Sequence, residues 1–492
     1  MPEKGPKPFP LNELTAISTV DGRYRPRTVD LAEEVSEYSL IKTRMEVESM
    51  YLIALSDAGI VRPLTNRERT RLTNLGPNLS MKQAQRVKTI ENETRHDVKA
   101  MERTMRELFG GTSLEDITEM VHLALTSEDV NNLSYRLMIT RGRDRVVVPA
   151  IERVVDKVTN MAEDYIDIPM LGRTHGQGAI PTTVGKEIAN FATRLHRQTE
   201  KLKKQQLTGK LNGAIGNFSA HDFSMPDIDW IEFSKDFVKG LGFEPNLITT
   251  QINPYEDMIE LFQNVKRING VILDMDQDFW RYISDDWIVQ DVVTGEIGSS
   301  ILAQKVNPID YENSEGNTQI ANSLLDGLST ILATSRLQRD LSDSTVVRNS
   351  GFAMALSLVS YKSTLEGLRR VRPNEQQISE SLNGNWSILT EGVQTLLRRE
   401  GYEDPYTMVS KLSRGIKIGP EDWAEWVGQL DVSDELKKKF GEMRPEDYLG
   451  YAKRLTRMGL TEIRTTRTGK IIEGEARDVT QRYISPGPKL NP

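Results

Sequence analysis

The chain has 492 residues, of which 38% are hydrophobic and 27% charged, with a formal net charge of -8 and no cysteine. A chain of this length can bury a large core and is expected to divide into two or three domains. The negative charge argues against a broad nucleic-acid surface, and the lack of thiols excludes disulfides, thiolate zinc sites, iron–sulfur clusters and a cysteine nucleophile.

The sequence shows no membrane or secretion signal. The stretch MPEKGPKPFP, residues 1–10, lacks the apolar core of a signal peptide, and no run of about 18 apolar residues occurs. We therefore expect a cytoplasmic protein that acts on neither membranes nor nucleic acid. Residues 1–10 and roughly 480–492 contain prolines and are predicted to be extended tails.

Hydrophobic periodicity predicts long helices at three places along the chain. Apolar residues recur every three or four positions, which is typical of amphipathic helices that pack in a bundle. The three series are Val147, Ile151, Val154, Val158, Met161 and Tyr165; Ile188, Phe191, Leu195 and Leu202; and Met258, Leu261, Val265, Ile268, Ile272, Met275, Phe279 and Tyr282. The sequence therefore predicts an all-α fold.

Five irregular segments interrupt the helical pattern, and each collects polar residues beside Gly, Pro, Ser or Asn. A further stretch, VRPNEQQ (371–377), predicts a boundary before a smaller C-terminal helical part. The five segments are STVDGRY (18–24), TRHDV (94–98), TSEDVNN (126–132), GRTHGQG (172–178) and GSSILAQKVNPIDYENSEGN (298–317). These segments are the candidates for chemistry.

The fifth segment has the composition of an oxyanion site. Its Gly-Ser-Ser turn directs backbone N–H groups into one space, and Lys305 and Asn307 add a cation and an amide. Such donors stabilise the dianion that forms when a C–H beside a carboxylate is deprotonated, and they favour a serine alkoxide as the base. Taken alone, a segment of this kind is more often an ordinary connection between helices than a catalytic loop.

Two of the five histidines lie in surroundings that suit proton transfer. His175 and His96 sit among Gly, Arg, Thr, Asp and Gln, where an imidazole can donate or accept a proton. His196, between arginines on a predicted helix, is expected to be exposed, and His122, in VHLAL, is expected to be packed. His221 is assigned neither role. No pair has the spacing of a helical metal site, so we expect no metal. A Ser-His-Asp hydrolase lacks its G-x-S-x-G elbow here.

The segment GSSILAQKVNP closely resembles the signature of the fumarase/aspartase superfamily, whose usual form is Gly-Ser-Ser-x-Met-Pro-x-Lys-x-Asn-Pro. Eight further ordered segments resemble the adenylosuccinate lyase family of the longer bacterial type, so that the resemblance covers roughly residues 11–455. They are STVDGRY, KTIENETRHDVKA, LTSEDVNNLS, GRTHGQ, GKLNGAIGN, TTQINP, ENSEGN and SRLQRDLSDSTVVRN.

The resemblance implies a fold and an activity. The expected fold has three all-α domains: an N-terminal helical domain at 1–115, a central long-helix bundle at 116–370, and a C-terminal helical domain with an extended tail at 371–492. The expected enzyme is a carbon–nitrogen lyase of purine biosynthesis. It would release fumarate from adenylosuccinate, giving AMP, and from SAICAR, giving AICAR, without a cofactor. Homotetramers with active sites shared between subunits are also implied.

The resemblance also implies roles for individual residues. Ser299 would be the general base, His175 the general acid, and His96 a group close to the bound nucleotide, while Lys305 and Asn307 would stabilise the aci-carboxylate. The expected substrate-binding residues are Arg23, Tyr24, Arg95, Asp97, Thr126, Ser127, Gln251, Arg339, Ser344 and Arg348. Asp129 and Asn132 are expected to brace a helix start, and for Glu128 bracing and ligand contact are equally expected.

Departures from the family pattern leave two alternatives open. Leu302 and Ala303 replace the usual Met-Pro, and Gly178 replaces the usual proline after THGQ, which predicts looser backbone and a larger entropy loss on loop closure. One alternative is a fumarate-releasing lyase that acts on another succinyl-amine. The other is a non-catalytic descendant that serves as a scaffold.

Overall fold

The computed structural model describes residues 10–292, 295, 301–302, 304–415 and 418–468. The predicted tails at 1–10 and 480–492 thus lie almost wholly outside the described residues, and Ser299 and Ala303 lie outside them too. In the described part, no helix is both long enough and apolar enough to cross a membrane.

Helices dominate the described residues, and the all-α prediction is confirmed. The α-helices are α1 (Arg25–Val35), α2 (Glu37–Asp57), α3 (Asn66–Leu75), α4 (Met81–Thr94), α5 (Asp97–Phe109), α6 (Ser127–Gly142), α7 (Val148–Asp164), α8 (Val184–Lys204), α9 (Ser219–Ser224), α10 (Trp230–Gly240), α11 (Glu256–Ser284), α12 (Ile309–Leu332), α13 (Ser342–Val347), α14 (Ser350–Arg369), α15 (Glu375–Asn383), α16 (Thr390–Arg399), α17 (Pro405–Ser413), α18 (Pro420–Gly428), α19 (Asp434–Gly441) and α20 (Ala452–Thr468).

In the part of the chain that the structure describes, short strands form three two-stranded pairs. The pair β1 with β2 is an antiparallel hairpin, β3 with β4 is parallel, and β5 with β6 is antiparallel. The strands are β1 (Pro169–Thr174), β2 (Gln177–Thr183), β3 (Thr208–Gly209), β4 (Glu244–Pro245), β5 (Ile288–Gln290) and β6 (Val371–Pro373).

The chain divides into two compact units, each built from three segments. Unit 1 consists of Met1–Ile151, Gln198–Leu273 and Asn313–Ser363, and unit 2 of Glu152–Arg197, Asp274–Glu312 and Thr364–Pro492. The predicted domain boundaries after residues 115 and 370 stay predictions.

The long helices confirm the predicted periodicity. Helix α11 has 29 residues, and seven of its eight predicted apolar positions, from Met258 to Phe279, are at most 1% exposed. Each such side chain contributes roughly 2 kcal/mol when buried. The buried face of α7 carries four of the six residues predicted for its series, from Ile151 to Met161, and the buried face of α8 carries all four of its predicted residues. The apolar residues that recur every three or four positions thus form the buried face that stabilises these segments as helices.

The prediction that His196 is exposed is wrong. His196 is 3% exposed on α8, four residues after the fully buried Ala192 and three before the buried Thr199. Positions three and four apart lie on one face of a helix, so His196 belongs to the buried face. The flanking arginines concealed this position, because their side chains point away from that face.

Candidate functional site

The segment TSEDVNN begins helix α6 and closes its first turn. The backbone N–H of Thr126, the N-cap, donates to Asp129 Oδ2 at 2.9 Å, and Asp129 Oδ1 accepts from the Asn212 backbone N–H at 3.0 Å. Asn132 Oδ1 accepts from the Lys210 backbone N–H at 3.0 Å. The bracing role of Asp129 and Asn132 is therefore confirmed. Thr126 and the adjacent Ser127 lie half-buried at the helix N-terminus, where free N–H groups and the helix dipole favour an anion.

A buried ion pair joins this helix start to the segment GKLNGAIGN. Lys210 Nζ lies 3.1 Å from Asp129 Oδ1, and both side chains are 0% exposed. Lys210 Nζ also donates to the Gly213 carbonyl at 2.8 Å. Sequence reasoning quoted this segment but did not single out Lys210; the only signal was a lysine beside small residues and asparagine.

Arg339 stands at the centre of a second cluster. It lies between α12 and α13, with Nη2 3.2 Å from Glu128 Oε2 and Nε 3.5 Å from Asp343 Oδ1. Its Nη1 donates to Gln251 Oε1 at 3.4 Å, and Gln251 Nε2 donates to the Ala214 carbonyl at 3.1 Å. The structure thus brings together two predicted substrate-binding residues, Arg339 and Gln251.

Glu128 is the residue of this cluster whose role the sequence left undecided. Burial raises its pKa to about 7; the charge of Arg339 opposes the rise, and that of Asp343 adds to it. A carboxyl group with a pKa near neutrality exchanges protons readily, which is a property concentrated at functional sites.

Asp97 and Arg348 form a third group of predicted site residues. Arg348 Nη2 donates to Asp97 Oδ2 at 2.8 Å, and Arg348 Nη1 donates to Glu37 Oε2 at 3.1 Å. The buried Arg44 donates to the same Asp97 oxygen at 2.7 Å. Sequence reasoning missed Arg44, although its position among the apolar residues of the mixed stretch LIKTRMEVESMYL was a usable signal.

His96 and Arg95 lie at the start of α5. His96 is the N-cap, and its Nδ1 accepts from the Lys99 backbone N–H at 3.2 Å. Arg95 has a φ of 53°, a left-handed conformation that ends α4 and turns the chain toward α5. Both side chains are exposed. His96 Nδ1 is therefore an acceptor here, which leaves the opposite ring nitrogen for a ligand.

Tyr24 makes a contact that the sequence did not predict. Its hydroxyl accepts from Asn313 Nδ2 at 2.9 Å, which connects DGRY to ENSEGN within unit 1. Arg23 is exposed beside it, and Ser344 lies half-buried on α13. The sequence analysis quoted ENSEGN but assigned no role to Asn313.

In unit 2, His175 occupies the tip of a hairpin. The segment GRTHGQG, expected to be irregular, forms the ends of β1 and β2, with Thr174 opposite Gln177. His175 and Gly176 have φ values of 54° and 74°, and positive φ at both positions is what a two-residue type I′ turn requires. The turn holds the imidazole at the surface. Gly178 lies in β2 opposite Arg173, so strand pairing restricts its backbone.

Arg173 anchors this hairpin to other residues of unit 2. Its Nη1 donates to Asp285, and its guanidinium carbon lies 4.1 Å from the centroid of the Trp287 ring. Both contacts restrict the strand that precedes His175.

The described part of the signature loop carries Lys305 and Asn307. Lys305 is exposed, and its backbone N–H donates to the Leu302 carbonyl at 3.1 Å. The Val306 carbonyl accepts from Gln290 Nε2 at 3.1 Å, and Asn307 is half-buried just before α12. Ser299 itself lies outside the described residues, so its position is not part of this geometry.

The two remaining histidines are structural in character. His122 Nδ1 lies 2.5 Å from Glu48 Oε1, so the expected packing includes an ion pair. His221 is fully buried, with its ring centroid 4.7 Å from that of Trp230, and neither of its nitrogens has a hydrogen-bond partner in the described part of the chain. Within the described residues, no group of three or more His, Asp or Glu side chains is arranged to hold a metal ion.

Comparison with known proteins decides the family. Residues 22–322 match the lyase family model, and residues 335–449 match the model of the adenylosuccinate lyase C-terminal region. The adenylosuccinate lyase of Haemophilus influenzae is 42% identical over 446 residues, which cover 90% of this chain and 98% of that protein. The chain belongs to the adenylosuccinate lyase family. The adenylosuccinate lyase of Escherichia coli K12 is 41% identical over 446 residues, with the same coverage of both chains.

Solved structures confirm the fold of this adenylosuccinate lyase family member. A fumarate lyase from Mesorhizobium sp. BNC1 aligns with a TM-score of 0.71 at 16% identity, covering 87% of this chain and 97% of that one. A beta-carboxy-cis,cis-muconate cycloisomerase from Acinetobacter calcoaceticus aligns with a TM-score of 0.67 at 17% identity, covering 88% and 98%. The predicted fumarase/aspartase-type all-α fold is therefore confirmed, and the protein is a lyase.

Proposed function

We propose that this lyase releases fumarate from adenylosuccinate, giving AMP, and from SAICAR, giving AICAR, in the biosynthesis of purine nucleotides. The observation that carries the proposal is the continuous match to adenylosuccinate lyases over 446 residues, which cover 98% of the Haemophilus influenzae protein. The two family models match residues 22–322 and 335–449, which include every residue to which a role is assigned below.

The reaction is a β-elimination with two proton transfers. Ser299 removes a proton from the succinyl carbon beside a carboxylate, the electron pair forms the double bond of fumarate, and the carbon–nitrogen bond breaks. His175 donates a proton to the departing nitrogen. The exposed position of His175 at the tip of a tight turn supports this role, because the imidazole reaches outward while its backbone is fixed.

The charge that develops on the succinyl carboxylate needs fixed donors. Lys305 supplies a cation and Asn307 an amide for the aci-carboxylate. Thr126 and Ser127 would hold succinyl oxygens at the N-terminus of α6, where the helix dipole favours negative charge. Gln251, which is anchored to the Ala214 carbonyl, would orient them.

The nucleotide phosphate requires cations with a planar fork of donors. Arg23, Arg339 and Arg348 provide guanidinium groups, whose geometry matches phosphate oxygens. Tyr24 and Ser344 add hydroxyl donors, and Arg95, His96 and Asp97 contact the nucleotide from the start of α5.

The enzyme would act in the cytoplasm as a homotetramer in which several subunits contribute to each active site. Mixing two inactive variants, Ser299→Ala and His175→Ala, tests the sharing of sites. Partial recovery of activity after verified subunit exchange is expected, and no recovery would indicate that both residues act from one chain.

A fumarate-release assay tests the function directly. Purified protein is supplied with adenylosuccinate or SAICAR, and fumarate and the nucleotide product are quantified. Release from both substrates is expected, with a loss of at least about a hundredfold in Ser299→Ala and in His175→Ala. Correctly assembled wild-type protein that releases no fumarate from either nucleotide would overturn the proposal.

A further inference from the structure

Glu128, Arg339 and Asp343 form a cluster with an unusual charge balance. Two carboxylates face one guanidinium, so the cluster carries one excess negative charge when all three groups are ionised. The side chains of Glu128 and Asp343 are each 3% exposed, whereas that of Arg339 is 16% exposed. Arg339 is therefore the member of the three that a ligand can reach.

The neighbouring cations do not cancel the excess charge. Lys210, in the loop after β3, is paired with Asp129, and Arg136, on α6 itself, is paired with Asp257. Tyr255, just before α11, donates its hydroxyl to Asp343 Oδ2 at 2.9 Å and brings no charge. Among the described residues, one carboxylate of the cluster thus remains without a cation of its own.

Glu128 is the carboxylate whose charge responds to this imbalance. Burial raises the pKa of Glu128 to about 7, with Arg339, Lys210 and Arg136 opposing the rise and Asp343 adding to it. Asp343, in contrast, accepts a hydrogen bond from the Tyr255 hydroxyl. Near neutral pH, Glu128 is therefore present in both charged and neutral forms.

An anion that binds Arg339 adds further negative charge a few ångströms from Glu128. Like charges favour the neutral form of a carboxyl group. We propose that Glu128 is a positioning residue that takes up a proton from solvent when an anionic group of the substrate binds to Arg339. In its neutral form Glu128 keeps a carbonyl oxygen that accepts a hydrogen bond from Arg339, so the guanidinium stays oriented. A neutral Glu128 also does not compete with the bound anion for the positive charge of Arg339. This inference rests on the proposed function, because it requires Arg339 to receive the substrate.

Titration calorimetry with AMP at about pH 8 tests the inference. Measuring the binding enthalpy in two buffers with different ionisation enthalpies gives the number of protons taken up per site. At this pH the phosphate, whose second pKa is about 6, is already a dianion and contributes little. The wild type is expected to take up roughly one proton per site. Glu128→Gln is expected to bind AMP with proton uptake reduced at least about threefold.

A matched control removes a carboxylate from a different arginine pair. Glu46 is paired with Arg141 in a partly buried position on α2, so Glu46→Gln is expected to retain the proton uptake of the wild type. Kinetics give a second readout, because loss of a merely structural contact does not alter a pH profile. The KM of the wild type is expected to rise between about pH 7 and pH 9, and that of Glu128→Gln to change less.

The outcomes separate the inference from the proposed function. The inference is overturned if the wild type does not bind AMP, or binds it without taking up a proton. This result does not depend on whether Glu128→Gln folds. Unchanged proton uptake in a folded Glu128→Gln variant also overturns the inference. Fumarate release without linked proton uptake contradicts the inference alone. Linked proton uptake without fumarate release contradicts the proposed activity alone.

Discussion

Arg44, which is buried, and Asp97, which is partly buried, form an ion pair in which Arg44 Nη2 donates to Asp97 Oδ2 at 2.7 Å. The same carboxylate oxygen accepts from Arg348 at 2.8 Å, and Arg44 Nε donates to Asn131 Oδ1 at 2.9 Å. Arg44 therefore connects the start of α5 with α6, and it fixes the carboxylate that Arg348 contacts. A residue of no direct catalytic role thus positions two of the proposed substrate-binding residues.

The first prediction concerns the removal of this guanidinium. Arg44→Ala leaves a partly buried carboxylate and a buried amide without their donor, so the free energy of unfolding is expected to fall by about 3 kcal/mol. The KM for adenylosuccinate should rise, because Asp97 and Arg348 lose their common anchor. Chemical denaturation and steady-state kinetics check the two effects.

Arg86→Ala is the control for this change. Arg86 pairs with Glu107, but both side chains are 47% exposed, and a pair in water contributes at most about 1 kcal/mol. Equal destabilisation by the two variants would contradict the importance of the buried pair.

The second prediction is a loss of stability in acid that depends on Asp97. Burial by itself would raise the pKa of Asp97, but the charge and hydrogen bond of Arg44, together with the Arg348 hydrogen bond, hold it well below its usual range. The folded pKa is thus lower than the unfolded value of about 3.9. The contribution to stability is complete above about pH 4 and declines as the pH falls toward the folded pKa.

Denaturation of the wild type and of Asp97→Asn between about pH 6 and pH 3 measures this contribution. The wild type should lose more unfolding free energy across that window than the variant. Parallel curves would mean that other carboxylates cause the acid dependence.

The third prediction concerns His122 and Glu48, whose side chains meet at 2.5 Å. Burial disfavours the charged imidazole, but the hydrogen bond and charge of Glu48 outweigh it and raise the pKa of His122. A raised folded pKa contributes stability fully below the unfolded value of about 6.5 and loses it as the pH rises through the folded value.

The unfolding free energy is therefore expected to fall as the pH rises above about 6.5, and His122→Gln should flatten this dependence. Below that pH the variant should be less stable by about 2 kcal/mol, because a charge-assisted hydrogen bond is lost. If the unfolding free energy of the variant depends on pH as steeply as that of the wild type, another group causes the dependence.

The fourth prediction compares alanine substitution at Gly176, in the hairpin that carries His175, with the same substitution at Gly59. The comparison separates the effect of backbone strain on stability from its effect on activity. Gly176 has a φ of 74°, and Gly59 has a φ of 73°, with no atom within 4 Å of an added Cβ in either case. Substitution by alanine at either position should cost about 1 kcal/mol of stability, since only glycine adopts this conformation freely.

Activity should respond differently in the two variants. Gly176→Ala distorts the turn that carries His175, so kcat is expected to fall at least about tenfold, while Gly59→Ala leaves kcat unchanged. The comparison requires thermal denaturation and single-turnover kinetics on both proteins. Unchanged kcat in Gly176→Ala would argue against the acid role of His175.

The three long helices could be predicted because their hydrophobic periodicity is a local property of the sequence. The stripe from Met258 to Phe279 defined α11, and the same spacing defined α7 and α8, since a buried helical face repeats every 3.6 residues. The ordered polar segments likewise sufficed to predict the superfamily, which the family models confirm. The turn at His175 was harder to predict from the sequence. Of its two residues with positive φ, only Gly176 is a type that commonly adopts this conformation, and His175 gives no such indication.

The sequence by itself determined three long helices, the all-α class, the family and the candidate residues, because periodicity and motif order are properties of neighbouring positions. Only the tertiary structure decided which candidates meet. Asp97 and Arg348 are 251 residues apart in the chain, and Glu128 and Arg339 come from different elements, yet each pair is in contact. Burial and charge balance at Glu128 depend on the groups that packing brings from distant segments, and no local pattern records that arrangement.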